Sequence, residues 1–336
     1  MRNEINEIPA AAARLIEDLS KDCSEIGPML RARDPAFVMT VARGSSDHAA
    51  AFIKYAIEIK AGLAVASIGP SVASIYGATL SAQRAVCLSI SQSGRSPDIV
   101  AMQKAAGAGG ALTLALTNDP QAPLADQSDV AIDIKAGPEH AVAATKSFVN
   151  SVLAGLMVVA AWTQDAILLK ALYDMPGQLQ SAVELDWSSL EQALEQGGSL
   201  YILGRGPTYA IAEEAALKFK EVCNRHAEAY SAAEVLHGPV SLVGSSFPVL
   251  AFAARDAAEA SIRETAEKLA EDGATVLITS AGTTRVRPLA YVDTGHPLTD
   301  ALALIVPLYG FMEALARRHG LDPDKPQKLN KITETL

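Results

Sequence analysis

Glu214, Lys218 and Glu221 recur at spacings of four and three, which places all three on one stripe of an α-helix over residues 209–225. A surface helix normally spreads its charges over a solvated face, whereas here one stripe carries them all. The same row is also what ordinary helix salt bridging looks like. The segment that follows, 226–239, reads as a loop and adds His226, Glu228, Glu234 and His237 to a stretch otherwise rich in alanine. A metal site can be drawn from those four residues, but their spacing fits no His-Glu-x-x-His pattern, and no metal is assigned.

A second set of residues has the composition of a phosphate cradle. In Ser91-Gln92-Ser93-Gly94-Arg95-Ser96-Pro97 the hydroxyls can donate and Gly94 lets backbone N–H groups turn inward. Ser96 can cap the helix that follows, and Pro97 suits its first turn. The helix N-terminus adds partial positive charge. Gly44-Ser45-Ser46 and Ala144-Thr145-Lys146 offer further hydroxyls and one cation. Serine-rich helix caps also occur without a ligand, but the ends of parallel strands are where ligands usually bind. A dinucleotide site competes for the glycines: Gly204-Arg205-Gly206 opens that fingerprint, yet Tyr209 stands where its third glycine belongs.

These residues need elements to position them. Apolar periodicity predicts a helical N-terminal arm over about 8–30, with Gly27-Pro28 inside or ending it, and strands at 36–41, 63–68, 85–90, 112–117 and 130–134. Helices are expected over about 47–61 and from 98 to about 107. Strand and helix alternate, which implies an open parallel α/β sheet with right-handed crossovers. The pattern then repeats. A shift of 162 residues lays residues 38–46 on 200–208 and the strand 85–90 on 247–252. A domain duplication is therefore expected, joined by a helical connection over 147–196. A last helix is expected over 298–318, and the polar tail from Asp322 would ordinarily be disordered. The second copy carries Ala253-Ala254-Arg255-Asp256 where the first has its serines and glycine, so only the first keeps an anion-binding loop.

Composition bounds the function. The chain has 336 residues, 49% of them apolar and 20% charged, enough for two cores rather than one. Its net charge of −10 argues against a nucleic-acid binder. Cys23, Cys87 and Cys223 form no C-x-x-C pair and leave an odd count, so no disulfide framework or thiolate zinc site is expected, and a reducing cytoplasm is the simplest location. The N-terminus is polar where a signal peptide would be apolar. The longest apolar run, 152–162, is too short to span a bilayer and reads as a buried helix.

Several motifs then converge. Ser91-Gln92-Ser93-Gly94, Ala143-Ala144-Thr145-Lys146, Leu203-Gly204-Arg205-Gly206, Ala216-Leu217-Lys218-Phe219-Lys220-Glu221, His226-Ala227-Glu228-Ala229-Tyr230 and Glu234-Val235-Leu236-His237-Gly238-Pro239 occur in order. Together they resemble the isomerase half of glutamine–fructose-6-phosphate amidotransferase, a tandem of sugar isomerase (SIS) domains. The resemblance covers nearly the whole chain, including the tail 326–331. It implies an α/β fold of two tandem SIS domains, each a parallel sheet flanked by helices in three layers. The expected division is an N-terminal helical arm (1–30), a first SIS domain (31–165), a helical linker (166–196), a second SIS domain (197–320) and a tail that closes the site (321–336).

The resemblance further implies a phosphosugar bound by Gly44, Ser45, Ser46, Ser91, Gln92, Ser93, Gly94 and Ser96, with Ala143 and Thr145 lining the sugar. Glu221 would shuttle a proton between C1 and C2 beside Lys218, His237 would open the ring from a neighbouring subunit of a homodimer, and Lys331 would close the site. No metal or organic cofactor is implied. Two departures stand out: Ala144 replaces the serine usual in its motif, and Gln327 stands where the tail often has arginine. No glutaminase domain is expected ahead of the tandem, and Met1-Arg2 offers no N-terminal cysteine. The implied activity is deamination and isomerisation of a 6-phosphorylated amino sugar, glucosamine 6-phosphate first. A simple aldose–ketose isomerase, a fructosamine-phosphate deglycase and a non-catalytic phosphosugar sensor are the alternatives.

Overall fold

The structure, a computed structural model, describes residues 1–195 and 198–331. Helices α1 (Arg2–Asn6) and α2 (Ile8–Arg33) lead into β1 (Phe37–Val41), α3 (Ser45–Ala61), β2 (Val65–Ser67), α4 (Ser71–Ser74), β3 (Ala85–Ile90), α5 (Pro97–Ala108), β4 (Leu112–Thr117), α6 (Pro123–Asp126) and β5 (Val130–Asp133). Three helices follow, α7 (Lys146–Thr163), α8 (Ala166–Val183) and α9 (Ser189–Leu194). Then come β6 (Ser199–Gly204), α10 (Pro207–Cys223), β7 (His226–Ser231), two 3-10 turns (Glu234–His237 and Pro239–Leu242) and β8 (Pro248–Ala251). The chain continues through α11 (Glu259–Glu271), β9 (Thr275–Ile278), β10 (Arg287–Pro288), α12 (Pro297–Ala303) and α13 (Ile305–Arg318).

The strands form two five-stranded sheets, β2-β1-β3-β4-β5 and β10-β9-β8-β6-β7, with every pair parallel. Numbered within its own half, each sheet has the order 2-1-3-4-5. The duplication expected from the sequence is thus a duplication of topology. All six residues of β3 are buried, as a parallel strand covered on both faces requires.

The chain forms two compact units. One, here the N-unit, comprises Glu7–Glu139 and Lys146–Tyr173, with Asn330 and Lys331 of the tail; the other, the C-unit, comprises Met1–Asn6, His140–Thr145 and Asp174–Leu329. In the N-unit, α7 is buried at nearly every position and packs against α2 and α3. Close approach there depends on glycine: a Cβ on Gly27 would lie 2.6 Å from the Ala161 carbonyl oxygen, and one on Gly155 would lie 2.3 Å from Ile53 Cδ1. In the C-unit, α10 packs on β6, β7 and α13. Among the described residues two stretches, Lys146–Thr163 and Pro297–Arg318, are long and apolar enough to cross a membrane, but 89% of the 18 most apolar consecutive residues of each is buried within the chain, which accounts for their composition.

Some expectations are corrected. The segment 226–239 opens not as a loop but as the edge strand β7, paired with β6 from Ser199↔His226 to Gly204↔Ser231. His226 and Glu228 are exposed and Ala227 is buried, the period-two pattern of a strand with charges on its open side. The helix expected over 298–318 is divided at Leu304 into α12 and α13. Two others hold: the arm is helical with Gly27-Pro28 inside it, running on to Arg33, and the connection expected over 147–196 is helical, as α7, α8 and α9, with Gln196 outside the described residues. The tail near Asp322 is ordered rather than disordered: the Val142 N–H donates to the Asp324 carbonyl (3.1 Å) and the Asp324 N–H to Asp322 Oδ1 (2.9 Å). Residues 332–336 of the expected closing tail lie outside the described residues.

Candidate active site

In a 2-1-3-4-5 sheet the strand order reverses between the first and third strands, and ligands bind beyond their C-terminal ends. In the N-unit those ends belong to β1 and β3, adjacent and in register from Phe37↔Ala85 to Val41↔Ser89. The loops that leave them carry Gly44-Ser45-Ser46 and residues 91–96, so the fold brings the two expected halves of the phosphate cradle side by side. Gly44 is the N-cap of α3, at φ 56° and ψ −133°, a backbone conformation suited to glycine. Its counterpart Gly206, the N-cap of α10, has φ 63° and ψ −137°. The duplicated turn is conserved in shape between the halves.

Gly94 is as constrained. It sits at φ +62°, and a Cβ there would meet Ala122 Cβ at 2.5 Å and Thr117 Oγ1 at 2.9 Å. The Gly94 N–H donates to the Ser91 carbonyl (3.1 Å), and the Gly94 carbonyl accepts from the Leu124 N–H (3.1 Å). The Asn118 N–H holds the Gln92 carbonyl at 3.1 Å. Ser91 is buried, while Gln92, Ser93 and Ser96 are half-buried. Ser96 is at the N-cap of α5 with Pro97 in the first turn, but its side chain makes no capping hydrogen bond.

A brace with no signal in the sequence joins the two loops. Arg43 donates from Nε (3.1 Å) and Nη2 (2.7 Å) to Oδ2 of Asp98, which is 1% exposed. The loop after β1 is thereby fixed to the first turn of α5. Asp47, in the first turn of α3, has its carboxyl pushed above the ordinary value by burial, against the pull of His48 and Arg43. The cation expected from Lys146 is otherwise engaged: its Nζ lies 2.5 Å from Glu7 Oε2.

The second copy has closed the corresponding place. Under the 162-residue shift Ser45 becomes Pro207, which has no N–H to give. Ser46 becomes Thr208, whose hydroxyl accepts from the Arg205 N–H (2.9 Å) and donates to the Arg205 carbonyl (3.0 Å). Ser93 becomes Arg255. Its guanidinium donates to the carbonyls of Ala253 and Thr279 and lies 3.8 Å from the Tyr291 ring centroid. An internal cation thus sits by the β8 end, where the first copy offers donors.

What the second copy has instead is the acid–lysine–acid row of α10, where the first carries Phe52, Ala56 and Ile59. Glu214 and Lys218 are 0% exposed and Glu221 22% exposed. Lys218 Nζ lies 3.3 Å from Glu214 Oε1 and 2.5 Å from Glu221 Oε2. The Tyr309 hydroxyl, on α13, donates to Glu214 Oε1 at 3.2 Å. Burial opposes the Lys218 ammonium, but Glu214 and Glu221 outweigh it and hold its pKa above the ordinary value. The row is graded from a dry end at Glu214 to an accessible carboxylate at Glu221, a form suited to a base whose partner stays charged.

His237 ends the 3-10 turn Glu234–His237 and is exposed, as is Leu236 beside it. Ala143 and Thr145, in the C-unit, are fully buried, whereas Val142 and Ala144 between and beside them keep some surface. Glu4, another residue not anticipated, accepts the backbone N–H groups of His140 and Ala141 and so anchors that segment. Lys331, in the N-unit, lies 3.4 Å from Glu139 Oε2. His226 Nδ1 is 2.6 Å from Ser199 Oγ. Among the described residues no group of three or more His, Cys, Asp or Glu is arranged to hold a metal ion.

The SIS domain pattern matches residues 33–161 and 193–294. The chain belongs to the SIS domain family. Glutamine–fructose-6-phosphate aminotransferase (isomerizing) of Halobacterium salinarum is 31% identical over 351 residues, which cover 98% of this chain and 58% of that protein. The SIS chain thus spans little more than half the length of such relatives. Among solved structures, a protein of Silicibacter pomeroyi provisionally described as a phosphosugar isomerase has 55% identity and a TM-score of 0.93, covering 96% of this chain and 99% of its own. The C-terminal domain of glucosamine-fructose-6-phosphate aminotransferase from Francisella tularensis has 25% identity and a TM-score of 0.86, with 96% of each chain covered. Each SIS match contains one of the two sheets, with the loops 44–46 and 91–96 in the first and the Glu214–Lys218–Glu221 row of α10 in the second.

Proposed function

We propose that this SIS protein is an enzyme that isomerises and deaminates a 6-phosphorylated amino sugar, with glucosamine 6-phosphate converted to fructose 6-phosphate and ammonia. The observation that carries the reading is the Glu214–Lys218–Glu221 row, because binding alone does not require a buried lysine between two carboxylates. The phosphate is taken by the loops 44–46 and 91–96. His237, exposed on its turn, opens the sugar ring from a neighbouring subunit, so the working form is a homodimer. Glu221 then removes the proton from C2 of the open-chain aldehyde and returns it to C1. Lys218 offsets the negative charge that develops on the enediol-like intermediate. The resulting C2 imine takes up one water and releases ammonia, leaving the ketose phosphate. Lys331 closes over the substrate. No glutaminase activity, nucleic acid or membrane enters this scheme.

A second reading is favoured by the 55% identity to the Silicibacter pomeroyi protein: a simple aldose–ketose isomerase that uses the same proton transfer and never meets an amino group. Proton NMR of the C2–H signal tests both. Its disappearance from glucosamine 6-phosphate with growth of ketose phosphate supports the first. The same change with glucose 6-phosphate alone supports the second. Loss of neither signal, with saturable binding of both sugars, leaves a phosphosugar sensor. Glu221→Gln is the control and is expected to slow the transfer at least about a hundredfold.

A further inference from the structure

Glu139 is 7% exposed and stands in the irregular stretch before α7. A carboxylate so buried needs partners. Two come from the first turn of α7: the Ser147 N–H donates to Oε1 (3.2 Å) and the Ser147 hydroxyl to Oε2 (2.5 Å). The helix N-terminus adds favourable partial charge. The same Oε2 also meets Lys331 Nζ at 3.4 Å, although the two residues are 192 apart in sequence. Residues 327–330 are exposed, and at Lys331 the chain returns to partial burial. The returning residue is the one that meets a carboxylate already fixed to a helix.

We infer that Glu139 is a positioning residue that holds Lys331 at its working place through Ser147 and the N-terminus of α7. The inference rests on the proposed reading for Lys331's role, but the tether itself does not need turnover to be observed. A neutral isostere keeps the hydrogen bond from the Ser147 N–H and loses the charge that holds the ammonium. A shorter carboxylate keeps the charge.

Two readouts are needed. The first is limited trypsin digestion followed by mass spectrometry, which reports cleavage after Lys328 and Lys331. Glu139→Gln and Ser147→Ala are expected to speed those cuts several-fold relative to cuts elsewhere, and Glu139→Asp to restore much of the protection. The second is a double-mutant cycle on turnover. Glu139→Gln and Lys331→Met are each expected to lower kcat about tenfold or more with little change in KM, and the double variant to be no slower than Lys331→Met alone. Wild-type rates of tail cleavage in both Glu139→Gln and Ser147→Ala would overturn the tether, as would single losses that multiply in the double variant. If the wild-type protein turns over neither sugar phosphate while the proteolysis result holds, the proposed reaction fails and the tether stands.

Discussion

Lys218→Met removes the ammonium between Glu214 and Glu221 while keeping an unbranched side chain of similar length. Glu214, fully buried, would then lose the ammonium that lies 3.3 Å from its Oε1, with the Tyr309 hydroxyl still donating at 3.2 Å. Breaking a buried ion pair from one side costs about 3–5 kcal/mol. Because Glu221 is 22% exposed and can recover water, the lower end, about 3 kcal/mol, is the expectation. At about 2–4 °C per kcal/mol for a domain of about 150–250 residues, the midpoint of the transition that includes α10 falls by about 6–12 °C. Glu214→Leu added to Lys218→Met replaces the pair with apolar groups and restores most of the loss, less about 1 kcal/mol for the acceptor taken from Tyr309. Lys218's pKa is raised in the fold, so its contribution is complete below the ordinary value of 10.5 and is lost as the pH climbs through the folded value. The margin of wild type over the double variant therefore shrinks only above that pH. Differential scanning calorimetry across neutral and alkaline pH reads all of this. A Lys218→Met protein that melts with wild type, as the exposed Lys170→Met should, refutes the reasoning; so does a double variant no more stable than the single.

Three further outcomes follow from local geometry. Gly94→Ala puts a Cβ 2.5 Å from Ala122 Cβ at φ +62°, and is expected to cost about 2–4 kcal/mol and to abolish saturable phosphosugar binding in calorimetry. For Glu4, burial pushes the carboxyl up but the backbone N–H groups of Ala141 and His140, with the nearby terminal ammonium, pull it below its ordinary value of 4.5. Its stabilisation is present above that pH and is lost as the pH falls through the depressed value, so Glu4→Gln should flatten the acid limb of a melting-temperature profile taken from pH 7 to 3. Burial pushes the thiols of Cys23, Cys87 and Cys223 up to about 11, 12 and 12; a disulfide reagent should therefore react slowly with native protein and with three thiols after denaturation.

The parts legible in the sequence are those set by local pattern. Apolar runs mark the buried strands, and the 162-residue repeat pairs Gly206 with Gly44, which share a positive-φ backbone of the same shape. The stripe Glu214–Lys218–Glu221 followed from helical spacing alone. β7 was obscured because its alternation is carried by alanine and charge rather than by large apolar residues, so His226 and Glu228 drew attention as chemistry when they are the open side of an edge strand. The break at Leu304 does have a signal in the sequence: Pro307 has no N–H to give the Ala303 carbonyl four residues before it, which ends α12 and lets α13 begin at Ile305. Partners remote in sequence were invisible: Arg43 with Asp98, 55 residues apart, and Glu139 with Lys331. Lys146 illustrates the converse, a cation of the right type in the right motif whose charge is met by Glu7.

The central claim is that the carboxylate at the open end of the α10 row drives loss of an amino group from a phosphorylated sugar. Release of ammonia from glucosamine 6-phosphate, followed by a coupled glutamate dehydrogenase assay with ketose phosphate quantified in parallel, tests it most directly. The account predicts equal amounts of ammonia and fructose 6-phosphate from wild type and a loss of at least about a hundredfold in Glu221→Gln. Ketose phosphate without ammonia, or ammonia released as fast by Glu221→Gln as by wild type, would contradict it.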